Sequence, residues 1–162
     1  LFRSKSLVEK DKIQTALDIL EFAKKNKTNI ILPIDLITAE TISSDAIINP
    51  RDLTDIKKND IILDIGKKSQ NLYAKIVHES KTIILNGPIG LYEIDQFASG
   101  TKSLFKEIAK TKAITVIGGG DTIDAITKFK ISPKKFTHVS TGGGAMIEFL
   151  EGKTLPGIKR LT

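Results

Sequence analysis

Apolar positions along this chain follow two different periods, and the switches between them outline its elements. Ile13, Ala16, Leu17, Leu20 and Ala23 recur at three- and four-residue steps, which predicts an amphipathic helix ending near Asn26. Ahead of it, Ser6-Leu7-Val8-Glu9 has the form of a capping box, with Ser6 as N-cap and Glu9 reaching back. Asn29–Leu32 is a short continuous apolar run of the buried-strand type, closed by Pro33, and Ile34–Ala39 is a second extended run. Ile47–Leu53 reads as loop around an Asn49-Pro50 turn. Asp60–Ile65 reads as strand, with Gly66 and a helix over Ser69–His78 behind it. Thr82–Leu85, Ala113–Ile117 and Thr137–Ser140 complete the strands. A short helical piece near Ile94 and helices over Thr101–Lys110, Thr122–Phe129 and Gly144–Leu150 complete the pattern; Leu104, Phe105, Ile108 and Ala109 share one face of the Thr101–Lys110 helix.

Strands and helices alternate at the spacing of successive βα units, ~25–30 residues. The continuous apolar strands Ile61-Ile62-Leu63, Ile83-Ile84-Leu85 and Ile114-Thr115-Val116-Ile117 suit a parallel sheet buried on both faces. The expected fold is α/β: one domain, a doubly wound, Rossmann-like parallel sheet between two helical layers, without linker or low-complexity segment.

Three glycine turns follow apolar strands, and each opens a helical segment. They are Asn86-Gly87-Pro88-Ile89-Gly90, Gly118-Gly119-Gly120-Asp121 and Thr141-Gly142-Gly143-Gly144. A helix N-terminus carries unpaired N–H groups and about half a positive charge, and glycine lets backbone approach a phosphate closely. In doubly wound sheets ligands sit at the carboxyl ends of the strands, where all three turns fall. Together they point to a phosphate or nucleotide cradle. The turns match neither Gly-x-x-x-x-Gly-Lys-Ser/Thr nor Gly-x-Gly-x-x-Gly.

Composition narrows the class. The 162 residues are 40% hydrophobic and 27% charged, the balance of a soluble globular domain. There is no cysteine, hence no disulfide and no zinc thiolate site. No apolar run approaches the ~18 residues of a membrane span. The first residues, Leu1-Phe2-Arg3-Ser4-Lys5, lack the apolar stretch of a signal peptide, and residue 1 is not methionine, so we expect a processed chain or a piece of a longer one. The net charge of +6 is carried mainly by dispersed lysines, with arginine only at 3, 51 and 160. That is a solvated surface rather than a nucleic-acid footprint.

Residue by residue, two readings stay open. Asp121 is equally a first-turn acid favoured by the helix dipole and a ligand for Mg²⁺ bridging phosphate oxygens. Glu93 is a surface acid or an acceptor for ribose hydroxyls, and Thr122 a helix-start residue or a hydroxyl donor to phosphate. His78 lies near a helix C-terminus, His138 reads as packed, and Ser140 and Thr141 have no Ser/His/Asp partners. Asp35 and Asp64 end apolar runs and read as loop caps.

Taken in order, the segments resemble a known family. Lys5-Ser6-Leu7-Val8-Glu9-Lys10-Asp11-Lys12, Leu32-Pro33-Ile34-Asp35, Leu63-Asp64-Ile65-Gly66, Asn86-Gly87-Pro88-Ile89-Gly90-Leu91-Tyr92-Glu93, Gly118-Gly119-Gly120-Asp121-Thr122 and Ser140-Thr141-Gly142-Gly143-Gly144-Ala145 are similar to the nucleotide-binding C-terminal domain of bacterial phosphoglycerate kinases. Phe97-Ala98-Ser99-Gly100-Thr101, Glu148-Phe149-Leu150-Glu151-Gly152-Lys153 and Leu155-Pro156-Gly157 continue the likeness. The resemblance implies reversible, Mg²⁺-dependent phosphoryl transfer between ATP and 3-phosphoglycerate, run towards ATP synthesis in glycolysis. It implies that Asn86, Gly87 and Pro88 line the nucleotide site, that Glu93 holds the ribose, and that Gly118, Gly119, Gly120 and Thr122 face the phosphates. Asp121 would face the Mg²⁺, and Gly142, Gly143 and Gly144 would present N–H groups to the migrating phosphoryl group.

Departures inside the matched segments are mild: Leu85 stands for a frequent Trp, Tyr92 for a usual Phe, and Ile62 for a glycine near the adenine. The larger departure is length. The family's N-terminal domain, with its basic phosphoglycerate site, and a Gly-Ala-Lys-Val-Ser-Asp-Lys-like opening have no counterpart here. Residues 1–162 are therefore expected to be part of the nucleotide domain: a cytoplasmic monomer that contacts neither membrane nor nucleic acid, takes ATP or ADP with Mg²⁺, meets 3-phosphoglycerate only with the N-terminal domain, and is inactive alone. The alternatives are a stand-alone nucleotide-binding module without catalysis and a purely structural α/β piece.

Overall fold

The computed structural model describes residues 4–159. Its secondary structure follows the hydrophobic pattern closely in the second half of the chain. Strands β4 (Thr82–Asn86), β5 (Ile114–Gly118) and β6 (His138–Ser140) form a parallel sheet in that order. Helices α3 (Ser99–Ile108), α4 (Gly120–Lys128) and α5 (Gly143–Leu150) connect or follow them. Alternation along the strands assigns the faces. Ile83, Leu85 and Ile117 turn to one side, where they pack with Phe105 and Ile108 of α3, Ala125 and Ile126 of α4, Phe136 and Tyr92. Ile84, Val116 and His138 turn to the other and, with Met146 and Phe149 of α5 and Leu155, line an apolar groove of about 460 Å³. Helices on both faces make this half doubly wound, as expected, although α5 covers its face only in part: Ile84, Ile114 and Phe149 stay exposed. His138 is exposed too, not packed, because the short β6 is an edge strand.

The first half departs from the expected single parallel sheet. Strand β1 (Asp35–Ala39) lies between β2 (Asn49–Asp52) and β3 (Ile61–Ile65) in a separate three-stranded sheet, antiparallel throughout. The run Ile61-Ile62-Leu63 is thus not a parallel strand. A continuous apolar run signals burial, and direction is set by non-local pairing that the run does not encode. Asn49-Pro50 is strand rather than turn. Pro50 sits opposite Ile37 on an edge strand, where a missing N–H is tolerated.

Two N-terminal expectations fail. The capping box does not form: Ser6 Oγ instead accepts the N–H of Ile62 at 2.8 Å, and a single 3₁₀ turn over Lys10–Lys12 leads into α1 (Ile13–Lys25) without a side-chain cap. Asn29–Leu32 is not a strand, and Ile30, Ile31 and Leu32 are exposed because nothing among the described residues pairs with the run. Helix α2 (Lys67–Glu79) begins two residues earlier than its pattern suggested, and its N-terminus is closed by a residue far away in sequence. The Asp35 carboxylate accepts the N–H groups of Lys68 (2.9 Å) and Ser69 (2.7 Å). No described helix is long and apolar enough to cross a membrane.

Candidate functional site

Parallel pairing brings the three glycine turns to one rim. In the register of the sheet Asn86 faces Gly118, and Gly118 faces Ser140, so the turns after β4, β5 and β6 emerge side by side. The glycines there divide into two groups. At Gly118, Gly119 and Gly143 the space a side chain would need is taken, by Gly119 backbone at Gly143 and by the Met146 and Asn86 side chains at Gly118 and Gly119. A Cβ on Gly118 would lie 2.5 Å from the Met146 methyl, one on Gly143 2.6 Å from the Gly119 Cα, and one on Gly119 2.9 Å from Asn86 Oδ1. These residues let the second and third turns and the Asn86 carboxamide close on one another. At Gly87, Gly120 and Gly144 the space a side chain would fill is open, so backbone faces it directly. Gly87 and Gly119 also have φ of +96° and +99°, which other residues rarely adopt.

Helices α4 and α5 both start at this rim, and neither has a side chain closing its N-terminus. Two uncapped helix starts side by side leave unpaired N–H groups and two positive dipole ends at one place. That arrangement favours a multiply charged anion. Asp121, exposed in the first turn of α4, makes no side-chain hydrogen bond or ion pair among the described residues. Its carboxylate is a candidate oxygen ligand for a hard cation. Among the described residues no three His, Cys, Asp or Glu side chains converge to hold a metal by themselves, so a cation here would need oxygen atoms from a phosphate and water as well.

The remaining candidates are placed as follows. Thr122 is fully buried (0% exposed), and its Oγ1 accepts the N–H of Gly87 at 2.7 Å. It therefore pins the first turn to α4. Pro88 follows in that turn. Glu93 lies beyond it and lines a separate shallow cleft with Ser44, Gln96 and Lys128, outside the glycine cluster; Lys128 donates to the Glu93 carbonyl at 2.7 Å. Gly142 precedes α5 with its carbonyl accepting the Met146 N–H at 2.9 Å. The structure thus gathers Asn86, Gly87, Gly118–Gly120, Thr122 and Gly142–Gly144, with Asp121 at their edge, and sets Glu93 apart.

Two supporting residues were not singled out from sequence as site builders. Tyr92 is buried and donates its hydroxyl to Asp124 Oδ2 at 3.0 Å. Burial, the Asp124 bond and charge, and the charges of Glu93 and Asp121 push the phenol up to about 12. The raised phenol stays a neutral donor to Asp124. Thr101 exchanges hydrogen bonds with Ile89, its Oγ1 accepting the Ile89 N–H at 3.1 Å and donating to the Ile89 carbonyl. The sequence signal for both is their place in the segments that carry the family resemblance, with Tyr92 standing for a usual Phe.

Residues 3–153 match the family described as phosphoglycerate kinase. The chain belongs to the phosphoglycerate kinase family. It is 47% identical over 157 residues to the phosphoglycerate kinase of Pseudothermotoga lettingae, a match covering 96% of this chain and 39% of that one. It is 45% identical over 157 residues to that of Borrelia hermsii, covering 97% and 40%. Among solved structures it is similar to the phosphoglycerate kinase of Coxiella burnetii, with a TM-score of 0.94 and 40% identity over 99% of this chain and 41% of that chain. The enzyme from Pyrococcus horikoshii gives a TM-score of 0.79 at 34% identity, covering 92% and 36%. The chain spans about two-fifths of the length of the curated relatives it matches. The likeness to the Coxiella burnetii structure extends over both halves of the fold.

Proposed function

We propose that residues 1–162 form the nucleotide half-site of a phosphoglycerate kinase, part of its C-terminal domain, with MgADP and MgATP on the rim of β4, β5 and β6. The observation that carries this reading is the convergence of three glycine turns and two uncapped helix starts at that rim. Open backbone at Gly120 and Gly144, in the first turns of α4 and α5, gives phosphate oxygens close access to N–H groups, while the Gly87 N–H is already held by Thr122. Asn86, Gly87 and Pro88 line the nucleotide, Gly118–Gly120 and Thr122 support its phosphates, and Glu93 takes the ribose from the side. The carboxylate of Asp121 and its place at the α4 start fit a Mg²⁺ ligand, and a Mg²⁺ held there would supply charge that neutralises the phosphates.

In the transfer, the bond between the acyl oxygen of 1,3-bisphosphoglycerate and its phosphorus breaks, a β-phosphate oxygen of ADP bonds to that phosphorus, and the 3-phosphoglycerate carboxylate leaves with the electron pair. The chain's residues position and stabilise charge; none forms a bond to phosphorus. N–H groups at Gly142–Gly144 face the phosphoryl oxygens, where preorganised donors act most strongly. The acyl substrate belongs to the three-fifths of the relatives' length that this chain does not span. Without that site, in-line positioning, worth ~7–11 kcal/mol, is missing, so residues 1–162 alone give no useful turnover. Family membership supports a cytoplasmic, monomeric glycolytic setting.

Calorimetric titration with ADP, with and without Mg²⁺, tests the reading. Asp121→Asn is expected to weaken MgADP roughly tenfold or more, on the scale of a charge-assisted contact, and to leave metal-free ADP nearly unchanged. Glu93→Gln is expected to weaken both alike. Equal losses for Asp121→Asn in the two conditions would remove its metal role, and no binding by the natural polypeptide carrying these residues would remove the nucleotide reading.

A further inference from the structure

The first glycine turn is held from outside the rim. Asp64, at the end of β3, is 2% exposed, and its Oδ2 accepts the Gly100 N–H in the first turn of α3 at 2.7 Å. Its Oδ1 accepts the N–H of Ile65 at 2.8 Å. The fit around this carboxylate is close. A Cβ on Gly100 would overlap it, and one on Gly90 would lie 2.8 Å from Oδ1 and 2.5 Å from the Leu63 carbonyl. Gly90 and Gly100 are therefore glycines for the sake of β3 and Asp64, not of a ligand. Next to Asp64, the Leu63 carbonyl accepts the Leu91 N–H at 2.8 Å. One residue past Gly100, Thr101 binds both the N–H and the carbonyl of Ile89. A path of bonded groups thus runs from Asp64 through the start of α3 to the middle of the Asn86–Gly90 turn.

We infer that Asp64 is a positioning residue for that turn: its carboxylate fixes the start of α3, and Thr101 passes the placement on to Ile89 and the glycine loop. The inference rests on reading that turn as one wall of the nucleotide site. Keeping a carboxylate there is unfavourable in itself, since burial pushes Asp64 up to about 6 against the N–H groups of Gly100, Ile65 and Ser99. An apolar or amide side chain would avoid that penalty. The acid is the group able to accept two diverging N–H donors at once, whereas an Asn turns its own NH₂ towards one of them.

Amide hydrogen exchange by NMR, in the natural polypeptide carrying these residues, tests the path without nucleotide. Asp64→Asn is expected to speed exchange at Gly100, Ile89 and Leu91 by roughly tenfold or more, with Gly118 in β5 changed less than about threefold. Thr101→Val should release Ile89 but leave Gly100 protected, and Thr101→Ser, which keeps the hydroxyl, should restore Ile89. This ordered pattern separates a relay from general loosening. Equal acceleration at all four amides, or release of Gly100 without Ile89, overturns the inference. If Asp64→Asn does not fold, the Thr101 pair decides alone: an unchanged Ile89 in Thr101→Val overturns it. A MgADP titration of the same variants keeps the two readings apart. A loosened turn with unchanged affinity removes the turn from the nucleotide site and leaves the relay standing.

Discussion

The two halves of this fold are held together by different physics. Around β4–β6 the interior is apolar: Phe105, Ile108, Ile117, Ala125 and Ile126 are buried together. Around β1–β3 the buried apolar cluster is smaller, Ala39, Leu63 and Phe97 among the described residues, with Leu36 and Ile65 buried on the same strands, and three buried aspartates do much of the connecting. Asp35 closes the start of α2, Asp64 the start of α3, and Asp60 accepts the Lys57 N–H at 2.7 Å and the Arg51 guanidinium at 3.1 Å. The long apolar stripes of the first half lie elsewhere, on α1 and Asn29–Leu32, and remain exposed. An apolar period therefore marks a face that requires cover, not a face that the same segment of chain covers.

The largest test of that difference compares two phenylalanines on helices. Phe105 is completely buried and Phe22 is 69% exposed. In urea denaturation of the 162-residue chain, Phe105→Ala is expected to cost about 3–5 kcal/mol, and Phe22→Ala less than about 0.5 kcal/mol. Similar costs at the two positions would break the comparison. A cost above about 1 kcal/mol for Phe22→Ala in the natural polypeptide carrying these residues, and not in the 162 residues alone, would sharpen it, by showing that α1 is covered there.

How much of this was legible in the sequence follows the same division. In the second half, local signals sufficed. Behind β5 and β6 a glycine turn and a helix follow directly. Behind β4 the expected helix does not open at the turn, and residues 87–98 intervene before α3, yet β4, β5, α4 and α5 fall within two residues of their patterns and the turns share a rim as expected. In the first half, the deciding interactions are long-range. Ser6 has the form of a helix cap but serves the backbone of Ile62, fifty-six residues on. Asn49-Pro50 has turn chemistry but pairs with β1 at an edge. Asp64 reads as a loop cap from its position, yet its partner is Gly100. The glycines of the site were legible as a group. Which of them close on one another and which leave open space was not, because that depends on the Met146 and Asn86 side chains brought in by the fold.

A smaller contrast concerns two hydroxyls that each accept one backbone N–H. Thr122→Val removes the partner of a half-buried Gly87 N–H, and about 1–2 kcal/mol of stability is expected to go with it. Ser6→Ala removes the partner of the exposed Ile62 N–H, which water replaces, and only a few tenths of a kcal/mol are expected. Denaturant midpoints of the two variants check this. The reverse order would mean that the first half depends on its N-terminal tie more than its exposure suggests.

The mildest test uses acid, which acts on buried carboxylates and leaves apolar packing alone. Burial works to raise Asp35 and Asp60, but hydrogen bonds and nearby cations outweigh it: Ser69 and Lys68 for Asp35; Lys57, Arg51 and Thr38 for Asp60. Both are held below the ordinary carboxylate range. Their contribution to stability is complete above the unfolded value, about 4, and is lost as pH falls through their lowered folded values. Asp64 has the opposite sign. Burial lifts it to about 6 with no cation opposing, so the folded state binds its proton first, and stability declines as pH rises from about 4 to about 6. One group changes stability by at most about 1.4 kcal/mol per pH unit. Stability of the natural polypeptide should therefore be greater near pH 4.5 than at pH 7, and should fall again below about pH 4. Asp64→Asn is expected to flatten the flank between pH 4.5 and 7 and to leave the acid limb in place, because Asp35 and Asp60 are untouched. Exchange at the β1–β3 amides should follow the acid limb while Ile117 in β5 stays protected. If the Asp64→Asn curve keeps the wild-type slope above pH 4.5, a different group carries it, and the assignment of the first half's pH response to its buried aspartates fails at Asp64.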